Sequence, residues 1–115
     1  GGRWTALTDW YRGMFAAEAG RHAEAARWYR AAADELHAIG DVVWLFKPLA
    51  GLAAVAADLG QHERAARLLG AVDRLLDRAG ARLMPFDRPA YDRAREQGTR
   101  RLGEAAFAAA LAAGR

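Results

Sequence analysis

The octapeptide GRHAEAAR at residues 20–27 is nearly repeated as GQHERAAR at residues 60–67, forty positions later. Each copy places a glycine before a short polar turn, and a helix with paired alanines follows. Self-similarity at a fixed spacing is typical of proteins built from stacked helical hairpins. Such stacks usually present a surface to a partner and seldom carry a reaction. The repeat therefore indicates the architecture without naming a ligand.

The composition favours an all-α domain. Of the 115 residues, 30 are alanine, the best helix former, and the only adjacent β-branched pair is Val42-Val43. The length fits a single domain over residues 1–115. Because the chain has no start methionine and ends directly after a helical run, we expect this domain to be a segment of a larger multidomain protein.

Apolar residues recur at helical spacing and predict three antiparallel hairpins, at about residues 3–39, 41–79 and 88–113. Asp41 is expected to N-cap the third helix. Pro48 lies inside that helix, which predicts either a kink or a late start at Lys47. The first helix is expected to bury a stripe formed by Trp4, Leu7, Tyr11, Met14 and Phe15.

The third hairpin is the most divergent part of the pattern. Residues 84–87 read as an extended connector, because a residue that precedes proline avoids the helical region. Asp87 is expected to N-cap the fifth helix, and Gly103 separates it from a short sixth helix. Phe107 and Leu111 are the predicted anchors of that last helix, one turn apart.

Small residues hold fixed offsets from the turn glycine in both repeats. Gly13 and Ala53 lie seven positions before the turn glycine of their repeat. The residues that follow this glycine by five positions are Ala25 and Ala65, those that follow by nine are Tyr29 and Leu69, and those that follow by twelve are Ala32 and Val72. This order resembles the tetratricopeptide repeat, although the usual period is shorter, about 34 residues. The resemblance implies an all-α, right-handed stack of three antiparallel helical hairpins, with about six helices.

A narrower resemblance rests on GLAAVA at residues 51–56, GQHERAARLLGA at residues 60–71, and the later segments YDRA at 91–94 and LGEAAF at 102–107. These segments look like the C-terminal helical repeats of large bacterial LuxR-type regulators and related signal-transducing ATPases. In that family such repeats sense or bind, whereas nucleotide hydrolysis and DNA contact belong to other domains. The resemblance implies a cytoplasmic, non-catalytic interaction or sensor module.

Residues suited to catalysis or metal binding are scarce. The chain contains no cysteine and no serine, and it has no GxGxxG or P-loop motif, so thiol and serine nucleophiles and phosphate loops are excluded. The three histidines are far apart in sequence and lack metal-binding spacing. The close acidic pairs, Asp34-Glu35 and Asp73 with Asp77, are typical of a helix surface. We therefore expect no enzyme activity, no cofactor and no bound metal.

Aromatic and arginine residues provide the candidate binding site. Trp10, Trp28 and Trp44, with Arg27 and Arg30 nearby, could line a groove for a protein, a peptide or a small effector. Alternatively, the tryptophans pack between helices.

The alternative function is self-association without a ligand, giving a homo-oligomer. The net charge of +3 comes from 16 arginines and one lysine against 14 acids. A solvated face explains this charge better than nucleic-acid contact does, because base-reading side chains are nearly absent. No apolar run is long enough to cross a membrane.

Overall fold

A computed structural model describes residues 2–115, and this part of the chain folds into six α-helices without a strand. The helices are α1 (Arg3–Glu18), α2 (His22–Ala38), α3 (Phe46–Asp58), α4 (His62–Ala79), α5 (Arg88–Leu102) and α6 (Glu104–Gly114). The all-α class and the number of helices are confirmed, while the right-handed, tetratricopeptide-like superhelix stays a prediction. Among these helices, none combines the length and the apolar character needed to cross a membrane.

The two repeated glycines end helices in the same way. Gly20 and Gly60 have φ angles of 78° and 80°, in the left-handed backbone region that residues other than glycine rarely adopt. In both turns the N–H of the next residue donates to the carbonyl four positions before the glycine, over 2.9 Å and 2.8 Å. These bonds satisfy carbonyls that the ending helix would leave unpaired. The repeated octapeptide thus encodes a repeated turn.

Helix α3 lies at the centre of the molecule. It packs against α1, α2, α4 and α5, and ten of its 13 residues are buried. α1 pairs with α2, and α3 pairs with α4, as the first two predicted hairpins require. α2 and α4 both contact α3 but do not contact each other, so the two helices leave a groove between them.

Helix α6 packs mainly against α4, and its contact with α5 is small. The helices come so close that a Cβ at Gly70 would overlap the carbonyl oxygen of Leu111, and one at Gly114 would overlap that of Arg67. This arrangement differs from the hairpin predicted over residues 88–113. The alanines and glycines of α4 and α6 permit a close approach of the two backbones.

The start of α3 corrects the prediction for Asp41. Residues 42–45 form turns and the helix begins at Phe46, close to the late start considered for Lys47. Asp41 does not cap it and instead accepts a 2.5 Å hydrogen bond from Arg3 Nε. Pro48 is the third helical residue, where a backbone N–H would have no partner within the helix, so it causes no kink.

The buried face of α1 also differs from the predicted stripe. The helix buries Ala6, Asp9, Trp10, Gly13 and Ala16. Trp4, Tyr11 and Phe15 are instead 76%, 42% and 60% exposed. The reason is geometric: α1 approaches α2 closely, and small residues are needed along that line of contact.

Candidate interaction surfaces

Two of the predicted site residues, Trp10 and Trp44, lie around the only lysine of the chain. The Lys47 ammonium is 4.6 Å from the ring centroid of Trp10 and 5.3 Å from that of Trp44. Trp10 is 6% exposed and Trp44 is half-buried. A cation over the face of an aromatic ring is attracted by the ring quadrupole. The two tryptophans therefore hold a lysine of the same chain.

The same lysine forms a buried ion pair. Lys47 Nζ donates to Asp87 Oδ2 over 2.9 Å, and the two residues are only 5% and 2% exposed. Burial raises the pKa of the Asp87 carboxyl, and the bond and charge of Lys47 oppose that rise. Asp87 does precede α5, as predicted, but its side chain makes no capping bond. It joins the connector before α5 to α3 instead.

The remaining predicted residues lie elsewhere. Trp28 is half-buried, and the Arg12 guanidinium of α1 covers its ring at 4.8 Å. Arg27 and Arg30 are exposed and line the space between α2 and α4. The five predicted residues therefore divide among three places and do not form one groove.

The space between α2 and α4, here called the basic groove, has a volume of about 320 Å³. Arg27 and Arg30 lie on its α2 side and Arg64 lies on its α4 side. Leu52 of α3 and Leu59, the residue that follows α3, contribute to its floor. Its lining combines cations with apolar surface and includes no carboxylate. Such a lining suits binding, and the imidazole of His22 also belongs to it.

A further surface, here called the aromatic stripe, consists of Trp4, Tyr11 and Phe15 on the outer side of α1. Sequence periodicity detected these residues but assigned them to the core. Comparison of the two repeats could have corrected this, because α1 and α3 are equivalent helices and, within residues 2–115, this face of α3 packs against the α1–α2 hairpin. Contiguous exposed apolar surface of this kind marks interaction sites.

Two carboxyl groups meet between α1 and α2. Asp9 is 6% exposed, with Arg12 Nη1 3.6 Å from its Oδ1, and it lies next to Glu35. Burial, and after it the neighbouring carboxyl group of Asp9, raise the pKa of Glu35. Asp9 is buried and Glu35 is partly buried, and neither residue belongs to the two surfaces named above, so the pair bears on stability.

The histidines do not converge on a metal site. His22 and His62 begin α2 and α4, and the Nδ1 atom of each is buried without a partner. Within residues 2–115, no group of three His, Asp or Glu side chains could hold a metal ion. A cavity of about 820 Å³ is lined by His62, Arg100 and Arg101 together with Asp58, whose carboxylate accepts a hydrogen bond from Arg93 over 3.1 Å.

No family model, no curated protein and no solved structure matches this chain. The resemblances to tetratricopeptide repeats and to LuxR-type regulators thus stay predictions from the sequence. The surfaces themselves carry the functional interpretation.

Proposed function

We propose that this chain is a non-catalytic helical-repeat module that binds another protein through the aromatic stripe of α1. The observation that carries the proposal is the exposure of three large aromatic side chains along one helix face. Aromatic residues bury a large area at little entropic cost and dominate many protein interfaces. The sequence resemblance would place such a module in a bacterial transcriptional regulator or signalling ATPase.

The internal repeat indicates what kind of structure the stripe accepts. A shift of forty residues places Trp4, Tyr11 and Phe15 on Trp44, Gly51 and Val55. Those three positions, Trp44 in the turn before α3 and Gly51 and Val55 within it, pack against the α1–α2 hairpin. Trp44 and Val55 belong to the apolar cluster of that hairpin, and Gly51 lies against the ring of Tyr29. The stripe is therefore the face on which a preceding helical hairpin would pack.

The side chains of the stripe limit which hairpin fits. Tyr29 needs a glycine opposite it, since a Cβ at Gly51 would lie 2.6 Å from its ring. The equivalent position in α1 is Tyr11, which leaves no room for a second aromatic ring. The partner hairpin must therefore present a small residue, such as alanine or glycine, where this chain has Tyr29.

Photo-crosslinking from the centre of the stripe tests the proposal. Benzoylphenylalanine at Tyr11 should form an adduct that mass spectrometry maps to a helical segment of a partner protein. The adduct should disappear in the Trp4→Ser/Phe15→Ser variant, whose thermal unfolding midpoint should change by no more than about 2 °C because the stripe is not core. A probe at Arg78, which is exposed on α4, is the control.

Loss of folding in the double variant would assign the stripe to the core and contradict the proposal. An adduct that survives the double variant, or one equally strong from the Arg78 position, would also contradict it.

Self-association is a second candidate, because the chain itself offers a complementary surface. The outer face of α6 is formed by exposed alanines, among them Ala105, Ala109 and Ala112. Bulky aromatic side chains of one copy would pack on this smooth face of the next, a head-to-tail contact that can extend into rings or filaments.

Sedimentation velocity at increasing concentration separates the two candidates. Self-association predicts a rising sedimentation coefficient that the Trp4→Ser/Phe15→Ser variant abolishes, together with crosslinks from Tyr11 to residues 104–113. A wild-type chain that stays monomeric contradicts self-association and leaves a different protein as the partner.

A further inference from the structure

The basic groove lies on three helices that were predicted separately. α2 and α4 form its sides without contacting each other, and the C-terminal half of α3 forms its floor. Leu59 at the end of that floor is 53% exposed, and Leu52 is half-buried. The groove therefore presents apolar surface between two helices, which is the geometry that an additional helix can fill.

The arginines of the groove differ from other arginines on the same helices. Arg21, the residue before α2, forms an ion pair with Glu24 of α2 over 2.6 Å, and Arg67 forms one with Glu63 over 3.1 Å within α4. Arg27, Arg30 and Arg64 make neither an ion pair nor a side-chain hydrogen bond with any group of residues 2–115. Their charges are available to a ligand from both sides of the groove.

We infer that the basic groove binds an acidic amphipathic helix of a partner protein. The apolar face of that helix would cover Leu52 and Leu59, and carboxylates along its two flanks would pair with Arg27 and Arg30 on one side and Arg64 on the other. Arginine binds carboxylates through two parallel hydrogen bonds, which fixes orientation as well as affinity. α4 already accepts one helix along its length, since α6 packs there at close range.

This inference is independent of the aromatic stripe, because no residue of the stripe lines the groove. Charge complementarity selects the partner: a groove with three free cations and no carboxylate disfavours a basic or neutral helix. The exposed apolar floor distinguishes it from a plain anion site, because a small polar anion would leave Leu59 uncovered.

Fluorescence anisotropy with a synthetic probe tests the inference. The probe is a labelled helical peptide with a leucine stripe flanked by glutamates, and the comparison peptide has the same composition in scrambled order. Arg27→Gln/Arg30→Gln should weaken binding about five- to tenfold, and Arg64→Gln about twofold or more, as expected for the loss of partly exposed ion pairs. Leu59→Ser should weaken binding without changing its salt dependence.

The matched control is Arg78→Gln/Arg82→Gln, which removes the same charge from two exposed arginines outside the groove. It should change affinity less than about twofold. If the two double variants lost affinity for the acidic peptide equally, net charge alone would explain the effect and the inference would be overturned. Equal affinity for the scrambled peptide, tighter binding of a single-stranded oligonucleotide, or no binding of the acidic helix by the folded wild type would overturn it as well.

Discussion

At the scale of single residues, Tyr29 shows how the two repeats reach the same packing by different means. Its ring lies between Gly13 of α1 and Gly51 of α3, where added Cβ atoms would come within 2.7 Å and 2.6 Å of ring carbons. In the second repeat, the residues equivalent to Gly13 and Tyr29 are Ala53 and Leu69, both fully buried. The first repeat thus combines a glycine with the large tyrosine ring, and the second repeat combines an alanine with the smaller leucine side chain.

Exchange of this pair between repeats makes a testable prediction. Gly13→Ala alone should lower the free energy of unfolding by roughly 1–2 kcal/mol, because overpacking outweighs the gain in helix propensity. In a Tyr29→Leu background, the same change should raise the free energy of unfolding by up to about 1 kcal/mol, since the clash is absent and only the propensity gain remains. Urea denaturation of the four proteins measures both effects. The same sign in the two backgrounds would contradict the account.

Glu35 makes stability depend on pH. Its Oε2 atom is buried without a partner, and burial, together with Asp9, raises its pKa above the ordinary value of 4.5. The folded state therefore holds this proton more tightly than the unfolded state does. The corresponding stability is complete below that ordinary value and is lost as the pH rises through the pKa of the folded state.

We expect Glu35→Gln to flatten this pH dependence. Between about pH 4 and pH 7 the wild type should lose free energy of unfolding, and the variant should lose less because its amide does not titrate. Asp87, whose pKa is also raised, is present in both proteins, so their difference isolates Glu35. Denaturant titrations across this range measure it, with Glu18→Gln, at an exposed position of α1, as the control. Parallel profiles for wild type and Glu35→Gln would refute the role of Glu35.

At the scale of helices, the position of α6 follows from small residues on α4. The short link through Gly103 favours antiparallel packing of α5 and α6. The two helices do meet next to that link, where Phe107 lies against Gly98. Further along, Gly70 and Gly114 allow α6 and α4 to bring their backbones together. Close packing against α4 therefore outweighs the tendency of neighbouring helices to pair.

A single added methyl group should disturb this contact. Gly70→Ala places a Cβ against the backbone of α6, and overpacking of this kind costs about 1–3 kcal/mol. We expect faster hydrogen exchange across residues 104–114, with α1 and α2 unchanged. Arg64→Ala, on the groove side of α4, is the control and should leave exchange in α6 as in the wild type. Unchanged exchange in Gly70→Ala would show that α6 is held by other contacts.

At the scale of the whole molecule, one ammonium group connects three segments that are distant in the chain. Lys47 belongs to α3, its Nζ lies over Trp10 of α1, and it bonds Asp87 before α5. The radius of gyration is 13.1 Å, close to the value of about 13 Å expected for a compact chain of this size. The helices thus form one compact body around α3, with this ion pair inside it.

The buried pair should behave as a unit. Lys47→Met or Asp87→Leu alone should lower the free energy of unfolding by about 3–5 kcal/mol, because each leaves an uncompensated charge in the interior. The double variant should recover most of that loss, since two apolar side chains can replace a buried ion pair at little cost. Equilibrium denaturation of all four proteins gives the coupling energy. If the losses of unfolding free energy in the two single variants simply added in the double variant, Lys47 and Asp87 would not act as a buried pair.

Part of the candidate surfaces could be read from the sequence. Arg27 and Arg30 were predicted as binding residues, and they line the basic groove. The groove itself required α4, because Arg64 is far from them in the chain and only the packing around α3 brings it opposite. The aromatic stripe was detected as a periodic pattern, but its burial was not predictable from α1 alone.

The amino-acid sequence by itself determined the helices and the turns that end them, because hydrophobic periodicity and glycine caps such as Gly20 and Gly60 act over a few neighbouring residues. Only the tertiary structure decided which face α1 buries, which helix α6 packs against, and that Lys47 meets Asp87. These outcomes depend on how closely two helices approach, and that distance is set by the side chains of both helices together.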